Sequence, residues 1–382
     1  MRASVRRPSA RLPGLLVAVT AAAGLAAEPP VRPPLAARGA DIVDRTGKPV
    51  VLRGISWFGM ETETHVPHGI WARDYKEMLA QIRGTGFNLI RMPWSVNAVR
   101  STAVGGIDFS KGANAELQGL GPLEVLDRIV AEAGRQGLLV LLDCHRLNDA
   151  QIPELWYGDG FTEEDWIESW RVMARRYGGA PNVIGADVKN EPHGAASWGT
   201  DDPKTDFRLA AERCGDAILK IAPHWLIVVE GVEKNVPGQE LPGHWWGGNL
   251  EGVRLAPVRL AVKNRVVYSP HEYGPGVHQS EWFKDPAFPA NMPDRWRKGF
   301  YYIVEEKIAP VLVGEFGGRQ TGADTPEGVW QRAFVDFLAA KKLGFVYWSW
   351  NPNSGDTGGM VGDDWLTLVE PKRKLLAPLL DR

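Results

Sequence analysis

Two glutamates stand out for what surrounds them. Glu191 lies in KNEPH and Glu315 in VGEFGG, each at the end of an apolar run and beside Gly or Pro residues that turn the chain. One glutamate in such a place is usually a surface ion-pair partner. Two that face each other can do more: one carboxyl gives a proton while the other attacks or activates water, which is the chemistry of glycosidic bond cleavage. Arg91 ends a further apolar run, where a guanidinium has to meet an anion rather than lie buried alone. An arginine and a tyrosine hydroxyl, here Tyr273, lower the pKa of a carboxylate and keep it ionised as a nucleophile must be, and Glu315 is the expected recipient. The acid needs a raised pKa, which a second carboxylate nearby supplies. Asn190 can offer its amide to a sugar hydroxyl. These arguments leave open which glutamate takes which role.

Other residues fit a sugar-binding cleft. Sugar rings stack on aromatic faces, and Trp57, Trp71, Trp245, Trp246 and Trp348 fall in loops or at strand ends. Trp166, Trp170, Trp296 and Trp330 fall at helical positions and are expected to pack instead. DCHR (143–146), with His193 and His271, could suggest a metal site, but HxH and HExxH spacings are absent. His145 and His271 are expected to hydrogen-bond a carboxylate or a sugar, and no metal or other cofactor is expected. Strand alternation puts Asp143 and His145 inward and Cys144 outward. Asp187 and Lys189 share parity with Glu191 and could pair with each other. No GxSxG elbow is present, which argues against a serine hydrolase.

The elements that must position these residues repeat one theme eight times. The apolar runs are LRGISWFG (52–59), NLIRMPWS (88–95), LLVLLDCHR (138–146), VIGADVKNEP (183–192), LIVVEGVE (226–233), VVYSPHEY (266–273), VLVGEFGG (311–318) and FVYWSWNP (345–352). Such runs suit parallel strands covered on both faces. Stretches of helical period lie between them, at 71–86, 121–137, 163–179 and 205–223, and several stop at Gly. Eight alternations predict an α/β fold, a closed (β/α)8 TIM barrel in one domain. The polar residues gather at the ends of the runs, where a barrel carries its active site.

The 382 residues are 44% hydrophobic with a net charge of −2, so the chain offers no charge footprint for nucleic acid or an anionic membrane. Residues 1–27 read as a signal peptide, with a basic start, an apolar run too short to span a bilayer, and a small-residue end. Residues 28–39 read as a linker and 40–382 as the catalytic domain. Secretion to the outside or the periplasm is expected, with no membrane attachment after cleavage. The two cysteines, Cys144 and Cys214, provide no disulfide framework and are expected to be buried thiols.

Taken jointly in barrel order, NEP, HEY, GEFG and WSWNP resemble glycoside hydrolase family 5. ISWFGMET, HGIWARDY, WWGGNLEG and WSWNPNSGDTGGM resemble its bacterial endo-β-1,4-glucanase (cellulase) branch, from about residue 40 to 380. The resemblance implies a retaining barrel without cofactor, acting on β-1,4-glucan; a monomer is expected. It also implies Glu191 as acid/base, Glu315 as nucleophile, and Arg91, His145, Asn190, His271, Tyr273 and Trp348 as supporting residues. The chain departs from the family at Lys189, where an aromatic residue or His is common, and at His278, where a Tyr is. The same mechanism acting on mannan, xyloglucan or mixed-linkage glucan is the alternative. A catalytically silent binding barrel and a metal-dependent hydrolase are the readings from other classes.

Overall fold

The computed structural model describes residues 31–381; the segment read as a signal, 1–27, lies outside them. The described chain opens with an antiparallel hairpin, β1 (Ala36–Arg38) and β2 (Asp41–Val43). Part of the expected linker 28–39 is therefore strand, because Leu35 and Ile42 have an apolar surface to cover. They pack against Leu52, Leu89, Leu139 and Leu226, at the ends where the barrel strands begin.

Each of the eight apolar runs supplies one barrel strand: β3 (Arg53–Ser56), β4 (Leu89–Ser95), β5 (Leu139–Arg146), β6 (Val183–Asp187), β7 (Leu226–Glu230), β8 (Val266–Ser269), β9 (Leu312–Phe316) and β10 (Gly344–Tyr347). All pair in parallel in the order β8-β7-β6-β5-β4-β3-β10-β9. Bridges Tyr268–Val311 and His271–Glu315 close the ring between β8 and β9. The expected (β/α)8 barrel is what forms.

The helices outside it are α1 (Tyr75–Gly84), α2 (Val96–Arg100), α3 (Pro122–Arg135), α4 (Glu163–Tyr177), α5 (Phe207–Leu219), α6 (Met292–Trp296), α7 (Tyr302–Glu305), α8 (Pro326–Lys341) and α9 (Glu370–Leu380). Their starts follow from capping. Asp74 accepts the Lys76 and Glu77 N–H groups, Asp206 that of Arg208, and Thr325 that of Gly328. Thr162 and Asp165 form a reciprocal capping box at α4. The cap at Asp74 makes α1 begin four residues later than its periodicity suggests.

Two apolar layers result. The inner one fills the lower barrel, and the outer one joins the strands to the helices and includes Cys144 and Cys214, both buried and free. Trp166, Trp170, Trp296 and Trp330 are all fully buried in the outer layer. Trp166 and Trp170, one turn apart on α4, both donate to the Val188 carbonyl, at 2.8 and 2.9 Å. That bond pair fixes the chain three residues before Glu191. Truncating Trp170 to Ala should cost about 3–5 kcal/mol, and Trp170→Phe, which loses the N–H and part of the buried ring, about 1–3 kcal/mol; denaturant midpoints for the two variants would check this.

Candidate active site

The upper barrel is built around Arg91 on β4, which has no solvent exposure. Its Nε donates to Asp187 Oδ2 at 2.9 Å, Nη1 to Glu315 Oε1 at 2.5 Å, and Nη2 to Asn190 Oδ1 at 2.9 Å. Nη2 also lies 3.2 Å from Asp143 Oδ1 and 3.2 Å from Glu230 Oε1. Burial opposes the charge, but these carboxylates outweigh it and raise the guanidinium pKa well above its ordinary value. The predicted anion for Arg91 is thus a set of four. Asp187 pairs with Arg91 and not with Lys189, whose buried ammonium instead donates to the carbonyls of Pro153 and Asn190. The guanidinium lies nearer the inward Asp187 carboxylate than the ammonium does.

Glu315 comes from β9, and its inward aim depends on a register slip. Phe345 pairs with Val313 but Tyr347 with Phe316, so Gly314 and Glu315 together face Val346. A bulge of this kind re-aims a side chain that strict alternation would turn outward. Gly314 is required there: a Cβ would meet Ser269 Oγ at 2.3 Å and His271 Nε2 at 2.8 Å. Glu315 Oε2 accepts the Tyr273 hydroxyl at 2.7 Å, as expected of the pair Arg91 and Tyr273.

Glu191 stands beyond β6, not on it. Its backbone is left-handed at φ 49°, and its N–H donates to Glu230 Oε2 at 2.7 Å. Its Oε1 accepts the Trp245 indole N–H at 2.8 Å and lies 3.2 Å from His271 Nδ1. His271 Nδ1 is also 3.6 Å from Glu315 Oε2, and its Nε2 is 3.1 Å from Glu230 Oε1. One oxygen of each glutamate and a His271 nitrogen lie within 4.8 Å of one another. Glu191, His271 and Glu315 could chelate a cation by distance alone, as could Asp187, Glu230 and His271. Arg91 already supplies a positive charge to three of these carboxylates.

Charge in this cluster is set by burial against pairing. Burial pushes Glu315 up to about 7 and the Glu191 carboxylate adds to it, against the pull of His271, Arg91 and Tyr273. Burial also raises Glu191, but the His271 and Trp245 donors outweigh it and hold Glu191 below the usual carboxylate range. Burial opposes a charge on His271, yet Glu230 and Glu315 lift it well above the ordinary imidazole value. This order is the reverse of the one expected from the sequence, because His271 Nδ1 lies 3.2 Å from Glu191 and 3.6 Å from Glu315; the two carboxyls are close enough to titrate as one system.

Around the pair, Trp348 lies near-parallel to His145 and to Phe58, each with ring centroids 5.3 Å away. His145 Nδ1 is 2.7 Å from Asp143 Oδ2, the carboxylate partner expected for it. From Phe58 the aromatic run continues through His68 to Trp71, which is 36% exposed. On the Glu191 side, His193 bonds the Glu191 carbonyl at 2.8 Å and stacks on Trp246 with centroids 3.7 Å apart. Trp246 is 39% exposed and borders a cavity of about 640 Å³ with Arg146, Glu154 and Tyr157. Trp57 does not belong to this surface: it is fully buried and donates to the His68 carbonyl, so no sugar can reach its face. Sequence reasoning missed Glu230, Phe58 and His68. Glu230 carries a signal, as an acid ending a four-residue apolar run, that only the barrel turns into a contact.

A buried (β/α)8 barrel with opposed glutamates at its mouth defines a class of glycoside hydrolases. The family profile of the cellulases, glycosyl hydrolase family 5, matches residues 43–354. The chain is 49% identical over 344 residues to an endoglucanase of Paenibacillus polymyxa, covering 90% of this chain and 86% of that one. It is 46% identical over 341 residues to the major extracellular endoglucanase of Xanthomonas campestris pv. campestris, covering 88% and 69%. Among solved structures, an endocellulase from Pyrococcus horikoshii in complex with cellotetraose superposes with a TM-score of 0.85 at 44% identity, covering 92% of this chain and all of that one. The chain belongs to the cellulase family, glycosyl hydrolase family 5.

Removing the Tyr273 hydroxyl takes a donor from the ionised pair. The upper titration step, near 7 in the parent, should rise by about one pH unit in Tyr273→Phe. Carbon NMR shifts of the glutamate carboxyls across pH would read both steps.

Proposed function

We propose that this protein is a retaining endo-β-1,4-glucanase in which Glu315 is the nucleophile and Glu191 the acid/base. The observation that carries the reading is the approach of the two carboxyls. One oxygen of each lies within 4.8 Å of the other, nearer the ~5–5.5 Å of double displacement than the ~6.5–9.5 Å with which inversion makes room for a water. Glu315, held by Arg91 and Tyr273, attacks the anomeric carbon as a carboxylate. Glu191 gives its proton to the leaving oxygen, and the glycosyl group is then bound to Glu315. Glu191, now ionised, takes a proton from water, which attacks the same carbon and frees Glu315. The steps use only groups of the chain and water.

The supporting residues fit the same picture. Trp348, beside His145, offers a ring face at the reacting sugar, and Asn190, fixed by Arg91, can direct its amide to a hydroxyl. Trp71 and Trp246 lie on opposite sides of the pair and suit the two arms of a polymer that runs through the cleft. The glucan preference rests on the relatives' names. The basic and apolar N-terminus together with the extracellular Xanthomonas relative supports a secreted enzyme, with residues 1–27 as its signal. The enzyme is proposed to act as a monomer. Among the described residues no helix is long and apolar enough to cross a membrane.

Assays on soluble β-1,4-glucan, mannan, xyloglucan, mixed-linkage glucan and xylan test the substrate. Activity on the β-1,4-glucan should lead, and greater activity on another polymer would move the reading to it. Glu315→Gln should fall to background, and Glu191→Gln should lose about 10²–10⁴-fold in kcat/KM on the natural polymer. Trp246→Ala should raise KM for long glucans several-fold and leave it nearly unchanged for the shortest substrates cut. The stacking reading for Trp246 fails if both change alike.

A further inference from the structure

Glu230 takes no part in the displacement steps, yet it binds the Glu191 backbone and shares His271 and Arg91 with Glu315. It ends β7 and is fully buried. One oxygen accepts the Glu191 N–H at 2.7 Å, and the other lies 3.1 Å from His271 Nε2 and 3.2 Å from Arg91 Nη2. Glu191 has a φ of 49°, a region that a residue with a Cβ occupies only when its surroundings hold it there. The next loop presses on the same contact. A Cβ on Gly247, itself at φ 70°, would meet Glu230 Oε2 at 2.4 Å and Glu191 Cα at 3.4 Å.

We infer that Glu230 is a positioning residue for the acid/base: its carboxylate holds Glu191 in the left-handed backbone that aims the carboxyl at the leaving oxygen, and ties it to His271 and Arg91. The inference rests on the reading of Glu191 as the acid. The Glu191 N–H and Arg91 Nη2 donate to Glu230 and His271 Nε2 lies 3.1 Å away, so the ionised carboxylate is favoured by its neighbours even though burial raises Glu230 to about 8, and an amide matches this set less well. A glutamine would have to set its NH2 against one of these donors whichever way it turned. Arg91 retains Asp143, Asp187 and Glu315 when Glu230 is changed. The damage is therefore concentrated on Glu191 rather than on the nucleophile.

The test exploits the leaving group. A cello-oligosaccharide needs a proton from Glu191 to depart, whereas the dinitrophenolate of a dinitrophenyl β-cellobioside departs without one. Glu230→Gln should lose about 10²-fold in kcat/KM on the oligosaccharide and no more than about threefold on the aryl substrate. Equal losses on both would show a merely structural role and overturn the inference, as would an unchanged oligosaccharide rate. Gly247→Ala, which crowds the carboxylate without removing its charge, should show the same split and serves if Glu230→Gln does not fold. Glu191→Ala is run beside them. If it loses both substrates equally, the acid assignment itself fails; if it shows the split and both other variants do not, only the role of Glu230 fails.

Discussion

One buried cation organises the upper half of this barrel. Arg91 lies at the centre of Asp143, Asp187, Glu230 and Glu315, with Asn190 as a fifth acceptor. A guanidinium has five N–H donors in a fixed plane, so it can address strands on several sides at once, which an ammonium cannot. An uncompensated charge in such a place would be strongly destabilising, and so would these carboxylates without it. The cluster therefore fixes geometry more than it adds stability. It sets where β5, β6, β7 and β9 must end relative to β4.

The two catalytic glutamates depend on this centre in different ways. Glu315 is bound to it directly, side chain to side chain. Glu191 is bound through its backbone, by way of Glu230, and its carboxyl is left to Trp245 and His271. A carboxylate that keeps strong donors is suited to carry and release a glycosyl group. Trp245 and His271 hold the Glu191 carboxylate below its usual range from the open side of the site, where a leaving oxygen can approach. Burial and the neighbouring Glu191 carboxylate raise Glu315 to about 7 against the pull of His271 and Arg91.

Aromatic residues extend the site away from the charges. In the run from Trp348 through Phe58 and His68 to Trp71 the first contact is near-parallel and the next two are steeply inclined, so part of it supports the rest rather than meeting sugar. The same holds on the other side, where His193 backs Trp246. Exposure separates platform from support, and it is a property of the packed loops.

The sequence by itself determined the barrel, because eight apolar runs at helical intervals admit few other closed arrangements, and it marked the strand ends as the place for chemistry. It also marked Arg91, Glu191, Tyr273 and Glu315, since each is a polar group set against an apolar run or a turn where burial demands a partner. What it did not contain was direction. Parity in the run holding Glu315 is broken by one residue at Gly314, and only pairing with β10 shows where the slip falls. Parity suggested Asp187 with Lys189, but the guanidinium from another strand lies nearer. Trp57 reads like its exposed counterparts and is buried, because its loop folds back onto His68. Glu230 ends its run with no motif around it, and its role exists only once β7 stands beside β6 and the Glu191 N–H turns toward it. Local pattern fixes which residues must find partners; long-range pairing decides which partners they find.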